Sequence, residues 1–168
     1  ERAYDMAIGI GENVRRLLDT PMFANMGEAS ARETGWALRS MTALYLETGN
    51  EYWLEKCEWI IDQFRKWEQE SGHWFSMYTD NTMIRVSFMI AVAIGSLSRF
   101  YRVRPNQELK NMIVRQIDDL VENCMIADSI FFYKELPSLR RIGNNTILLE
   151  AMAIGYELTK DTKYLKAG

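Results

Sequence analysis

The residues of this chain best suited to chemistry are three carboxylates, Glu33, Asp80 and Glu150, set among aromatic or apolar neighbours. Glu33 lies in the stretch from Met22 to Trp36. There Glu28 or Glu33 would serve as an acid/base group and Trp36 as a platform for a sugar ring. The alternative makes Glu33 a first-turn helix acid, favoured by the helix dipole, and Trp36 a core residue. Asp80 falls near the end of His73-Trp-Phe-Ser-Met-Tyr-Thr-Asp-Asn81, which holds the single histidine, Trp74 and Tyr78, with Arg85 close behind. Aromatic faces stack on sugar rings, and Asp and Asn bind hydroxyls in pairs, so the mixture suits a glycan. Asp80 or Asn81 equally suits the N-cap of a helix starting at Thr82, with Arg85 one turn into that helix and paired to a neighbouring acid.

A third segment, Asp128 to Arg141 followed by Asn144 and Asn145, offers Arg140 and Arg141 as bidentate partners for a carboxylate or uronate. Asn144 or Asn145 also reads as a helix cap. Glu150 stands inside Ile147-Leu-Leu-Glu-Ala-Met-Ala-Ile154. A carboxylate buried there must either hold its proton, which suits a general acid, or meet a partner such as Arg39 or Arg85. Glycoside hydrolysis requires two carboxylates about 5–10 Å apart across a sugar site. Glu33, Asp80 and Glu150 supply the groups, but no spacing forces any two together.

Other chemistries are poorly served. The chain contains no Gly-rich phosphate loop, no HExxH, no GxSxG and no cysteine–histidine pairing. No metal and no cofactor is therefore expected. The two cysteines, Cys57 and Cys124, lie apart in amphipathic segments and read as buried free thiols, which leaves the compartment undetermined. Net charge is −3 with acids and bases interspersed, and no basic stripe is present to hold nucleic acid. The longest uncharged run, thirteen residues between Arg85 and Arg99, is shorter than the roughly twenty that a membrane span needs.

The elements that must position these side chains are announced by a repeat. Tyr45-Leu-Glu-Thr-Gly-Asn-Glu-Tyr-Trp-Leu54, Phe100-Tyr-Arg-Val-Arg-Pro-Asn-Gln-Glu-Leu109 and Tyr156-Glu-Leu-Thr-Lys-Asp-Thr-Lys-Tyr-Leu165 share one plan, with a period of about 55. An aromatic residue closes one helix, a short turn follows, and a leucine opens the next. Gly49 suits a left-handed helix end, and Asn50, Asn106 and Asp161 suit N-caps. Helices are expected over 2–19, 31–48, 51–70, 82–102, 107–126 and 144–159, with a seventh beginning near Thr162. Tight turns alternate with longer connections over 20–30, 71–81 and 127–143, so the long loops collect at one end, where function tends to gather.

The helices also alternate in kind. Segments 51–70 and 107–126 carry one apolar stripe each, as surface helices do, whereas Phe88–Gly95 and Ile147–Ile154 are apolar nearly all round. Two layers follow, with amphipathic outer helices and apolar inner ones. In the α/α-toroid architecture that this alternation resembles, the N-terminal ends of the inner helices and the long loops form the rim of a funnel. The positive ends of the inner helix dipoles point there, favouring anionic or hydroxyl-rich ligands.

This organisation, with Gly35-Trp-Ala-Leu-Arg-Ser-Met-Thr-Ala-Leu-Tyr-Leu-Glu-Thr-Gly49, resembles the six-hairpin glycosidase-like (α/α)6 toroids. Ser71-Gly-His-Trp-Phe-Ser-Met-Tyr-Thr-Asp80 is similar to the Gly-x-Trp-Tyr-type loop before an inner helix in the unsaturated uronyl hydrolases. The resemblance implies an all-α fold, an α/α-toroid arc of about three helical hairpins. It also implies a carbohydrate-active protein, glycoside hydrolase or uronyl hydrolase/lyase-like, acting on or binding a poly- or oligosaccharide. On that reading Asp80 or Glu33 performs general acid/base work, and His73, Trp74, Tyr78, Arg85, Trp36, Asn144 and Arg141 contact the saccharide. Three hairpins make half a toroid. Residues 1–168 are accordingly expected to form a single hairpin domain cut from a larger protein. The competing expectation is a non-catalytic helical domain that packs on a partner, a neighbouring domain or a second copy through its open hairpin edges.

Overall fold

A computed structural model describes residues 2–20, 31–74, 76–77, 83–126, 130–134 and 145–168. Seven helices run through them: α1 (Arg2–Leu18), α2 (Ala31–Thr48), α3 (Glu51–Ser71), α4 (Ser87–Val103), α5 (Gln107–Cys124), α6 (Asn145–Thr159) and α7 (Lys163–Ala167). Two short antiparallel hairpins precede the later inner helices. In the first, β1 (Ser76–Met77) pairs with β2 (Met83–Ile84), and in the second, β3 (Met125–Ile126) pairs with β4 (Ile130–Phe131).

The tight turns are built alike because their sequences are alike. In each, the backbone N–H four residues beyond the closing aromatic returns to its carbonyl. Gly49 bonds Tyr45 at 2.8 Å, Arg104 bonds Phe100 at 2.9 Å, and Lys160 bonds Tyr156 at 2.8 Å. Thr48 and Thr159 each donate to the carbonyl four residues back and accept from the N–H two residues on. Asn50 accepts from Tyr52 N–H, and Asn106 accepts from Glu108 and Leu109, each cap contributing about 1 kcal/mol. Asp161 accepts from Lys163 N–H, although Thr162 is the cap residue of α7.

Packing follows the alternation in composition. Helices α2, α4 and α6 lie side by side as an inner layer, and α1, α3, α5 and α7 back them. The central inner helix, α4, is buried along nearly its whole length, including Ile90, Ala91, Ala93, Ile94 and Leu97. A Cβ on Gly35 of α2 would lie 2.8 Å from the Ala93 Cα, so this glycine lets α2 and α4 meet backbone to backbone. Outer helices α3 and α5 are bridged by ion pairs, Arg65–Glu108 at 2.7 Å and Arg115–Glu68 at 2.6 Å. Such exposed pairs contribute roughly 0–1 kcal/mol each, so apolar burial between layers holds the arc together.

One expected boundary is corrected. The helix expected from Thr82 begins at Ser87, after Val86 in extended backbone (φ −115°, ψ 98°). The preceding Met83-Ile84 pairs as a strand, in a stretch where β-branched Ile84 and Val86 favour extended structure. Asp80 and Asn81 therefore lie too far upstream to cap it. The other helices match expectation to within two residues at each end.

Candidate functional site

Each inner helix turns one stripe toward the concave side of the arc, at the helical spacing of three and four residues. On α2 it is Arg32, Trp36, Arg39, Ala43 and Leu46; on α4, Phe88, Val92, Gly95, Arg99 and Arg102; on α6, Thr146, Glu150, Ala153 and Glu157. Contacts across helices confirm that the stripes face one another. Arg102 of α4 meets Glu157 of α6 at 2.7 Å. The position a Gly95 Cβ would occupy is 3.2 Å from Arg39 Nη2 and 3.3 Å from Glu150 Oε1, so α2 and α6 reach across α4 at that point.

At the N-terminal rim, Glu33 and its neighbours form a compact group. The Arg32 guanidinium donates through Nε to Glu33 Oε1 at 2.7 Å and through Nη2 to the same oxygen. The same guanidinium lies 5.2 Å from the Trp36 ring centroid and 5.9 Å from that of Phe88. Phe88 in turn stacks on Tyr133, with centroids 5.2 Å apart. Trp36 is 50% exposed, so about half of its surface meets solvent. The second Glu33 oxygen, Oε2, is buried and has no hydrogen-bond partner among the described residues, as is Thr34 Oγ1. An unpaired buried acceptor costs about 1–3 kcal/mol.

The hairpins tie this rim to the helices behind it. The Ser87 hydroxyl donates to the Phe132 carbonyl, joining the first residue of α4 to the second hairpin. Asn145, the first residue of α6, accepts from Phe131 N–H at 2.8 Å. A capping role expected of Asn144 or Asn145 thus becomes, for Asn145, a clamp on the hairpin.

Two expected binding residues are placed elsewhere. Trp74 is completely buried, its ring 4.6 Å from Phe64 and its Nε1–H donated to the Phe64 carbonyl at 3.0 Å. A ring with both faces in the core presents none to a sugar. Arg85 lies before α4 rather than one turn into it, and grips Asp119 of outer helix α5 with two bonds at 2.7 and 2.9 Å. Its charge is directed at the outer layer, the pairing that was its alternative. His73 is half-buried immediately before Trp74. Asp80, Tyr78, Asn144 and Arg141 lie outside the described residues, as do Glu28 and Arg140.

Glu150 also differs from expectation. Its helix is apolar in sequence, but the residue falls on the open stripe of α6 and is exposed, with Arg39 across Gly95. Nothing in the composition of one helix says which of its faces the neighbours leave uncovered. Phe88 and Tyr133 escaped sequence reasoning because their cation–π and stacking partners come from different elements, whereas Arg32 stands one turn from Trp36 on the same helix. Among the described residues no group of three or more His, Cys, Asp or Glu side chains converges to hold a metal ion. No described helix is long and apolar enough to cross a membrane.

No family model matches the sequence, and no curated protein does. The structure is similar to that of a GH76 α-mannanase from Bacteroides thetaiotaomicron, with a TM-score of 0.61 at 19% identity. The fold is an arc of an (α/α)6 toroid. The match covers 81% of this chain and 41% of the mannanase, so the toroid arc spans less than half that enzyme's length. At this identity the likeness concerns the fold, and the rim of the arc is read from its own residues.

Proposed function

We propose that this toroid arc belongs to a carbohydrate-active protein that acts on a poly- or oligosaccharide at the N-terminal rim of its inner helices. The observation that carries the reading is the pairing of a half-exposed indole, Trp36, with a carboxylate, Glu33, whose second oxygen is buried without a partner among the described residues. Trp36 supplies a stacking face, and Arg32 both orients Glu33 and lies over the indole ring. Glu33 is the proposed acid/base group. Asp80 is the proposed second carboxylate, and Tyr78, Asn144 and Arg141 are the proposed polar wall.

Titration of the full chain with manno-oligosaccharides and with uronate-bearing oligosaccharides, followed by tryptophan fluorescence and calorimetry, tests this. Trp36→Ala is expected to weaken binding roughly tenfold, about 1.4 kcal/mol. Glu33→Gln should leave binding within a few-fold while lowering any turnover by about 10²–10⁴. Saccharide affinity indifferent to Trp36→Ala would remove the rim from consideration.

A second reading, a helical interaction or capping domain, draws on a different observation. Helix α1 buries Gly11 and Leu18 but leaves Met6, Ile10 and Leu17 between 51% and 66% exposed along a separate stripe. That face fits a partner or neighbouring domain, and light scattering of wild type against Ile10→Glu would reveal self-association through it.

A further inference from the structure

The C-terminal half of the concave face carries a second feature, away from Glu33. A concavity of about 310 Å³ opens between α2 and α4, lined by Arg39, Thr42, Ala43, Leu46, Arg99, Arg102 and Val103. Three arginines from two helices converge on it, and no acid stands in its wall. Arg102 is compensated by Glu157 at 2.7 Å. Arg99 is exposed and makes no ion pair among the described residues. Arg39 approaches Glu150 with its Nη2 end across Gly95, yet its Nε is buried and has no hydrogen-bond acceptor among the described residues.

Arginines of two adjacent helices face one concavity, and the exposed Arg99 has no ion-pair partner among the described residues, so the site holds positive charge that an anion would balance. The planar guanidinium fork takes a carboxylate, sulfate or phosphate through paired hydrogen bonds. Balancing of the helix dipole accounts for Arg102, in the last turn of α4, but not for Arg39. That effect fades beyond the last turn, and Arg39 lies two turns before the end of α2 at Thr48. The remaining wall is Thr42, whose hydroxyl is already donated to the Leu38 carbonyl at 2.7 Å, with apolar Ala43, Leu46 and Val103, and it suits the carbon face of a ring attached to the charged group.

We propose that this concavity is an anionic-sugar subsite, in which Arg39 and Arg99 hold the acidic group of a saccharide whose neighbouring unit lies toward the Trp36 rim. The inference rests on the saccharide reading above and narrows it from glycans in general to acidic ones. Gly95 is the positioning element. A methyl there would press on both Arg39 and Glu150 and displace the guanidinium.

The test is calorimetric titration of the full chain with a glucuronate-bearing oligosaccharide, a phosphorylated one and a neutral manno-oligosaccharide of equal length. Arg39→Gln and Arg99→Gln are compared with wild type, and thermal unfolding confirms that each variant is folded. Because Arg99 is exposed, its variant reports even if Arg39→Gln does not fold. The expected result is binding of one acidic ligand at least tenfold tighter than the neutral one, with the preference weakening as salt rises. Both variants should erase that preference and leave neutral binding within twofold, and which acidic ligand prevails identifies the charged group. Equal affinity for acidic and neutral ligands, or a preference that survives both variants, would overturn the subsite. If no saccharide binds but inorganic sulfate does, and the variants abolish it, the anion site stands and the saccharide reading fails. If neither saccharide nor sulfate binds, both fall.

Discussion

Among the described residues, Tyr164 and Cys57 are the two side chains whose titration the fold alters most. Tyr164 is buried against Gly155 and donates to Asp118 Oδ1 at 2.7 Å; burial, then that bond to an acid, push its phenol up to about 12. Burial likewise pushes the Cys57 thiol up to about 12, outweighing its contact with the Thr42 hydroxyl at 3.8 Å. Both groups are held protonated in the native state and ionise more readily once unfolded. Their contribution is therefore complete below the ordinary values of 9.0 and 10.0 and is lost as pH climbs toward 12. Urea unfolding midpoints should be flat from pH 7 to 8.5 and fall steadily from 9 to 12. Tyr164→Phe should flatten the upper part of that fall, and an unchanged slope in the variant would contradict the assignment. Both cysteines are buried and neither is in a disulfide, so a thiol reagent is expected to label neither until the chain unfolds. The burial of Cys57 was legible from its stripe on α3, whereas the Tyr164–Asp118 bond, spanning 46 positions, was not.

At the scale of elements, the repeat made the tight turns readable because they are local. Cap, closing aromatic and threonine all act within five residues, and the same hydrogen bonds recur where the same residues recur. The third turn departs from the first in one respect. Lys160 occupies the left-handed conformation (φ 63°) that Gly49 adopts (φ 65°), and its Cβ makes that conformation costly. Lys160→Gly is expected to raise stability by about 0.5–1 kcal/mol, read as a higher urea midpoint at unchanged slope. A drop would mean that the Lys160 contact with the Tyr156 ring, 5.6 Å from its centroid, outweighs the strain. The hairpins were not legible. Strands of two residues have no room for a period-two pattern, so residues 82–86 merged in the sequence with the apolar helix that follows.

For the whole molecule, the inner layer depends on how closely α2 and α4 approach. Gly35→Ala places a methyl 2.8 Å from backbone that cannot rotate away, so the two helices must separate. A loss of about 1–3 kcal/mol is expected by denaturant unfolding, together with weakened saccharide binding at the rim, because Arg32, Trp36 and Phe88 straddle that contact. Full stability in this variant would show that the arc tolerates wider spacing than its geometry suggests.

The two-layered arc of hairpins, its tight-turn end and its inner–outer alternation were determined by the sequence alone, because apolar periodicity and capping are written over a few consecutive residues. Which side chains share the concave face was decided only by the tertiary structure. Glu33 kept its place on the rim beside Trp36, while Trp74 went to the core and Arg85 to Asp119. Glu150 emerged exposed across Gly95 from Arg39. The physical reason is that exposure on an all-round apolar helix is set by its neighbours. Those neighbours lie about 55 or more residues away, beyond the reach of any local pattern.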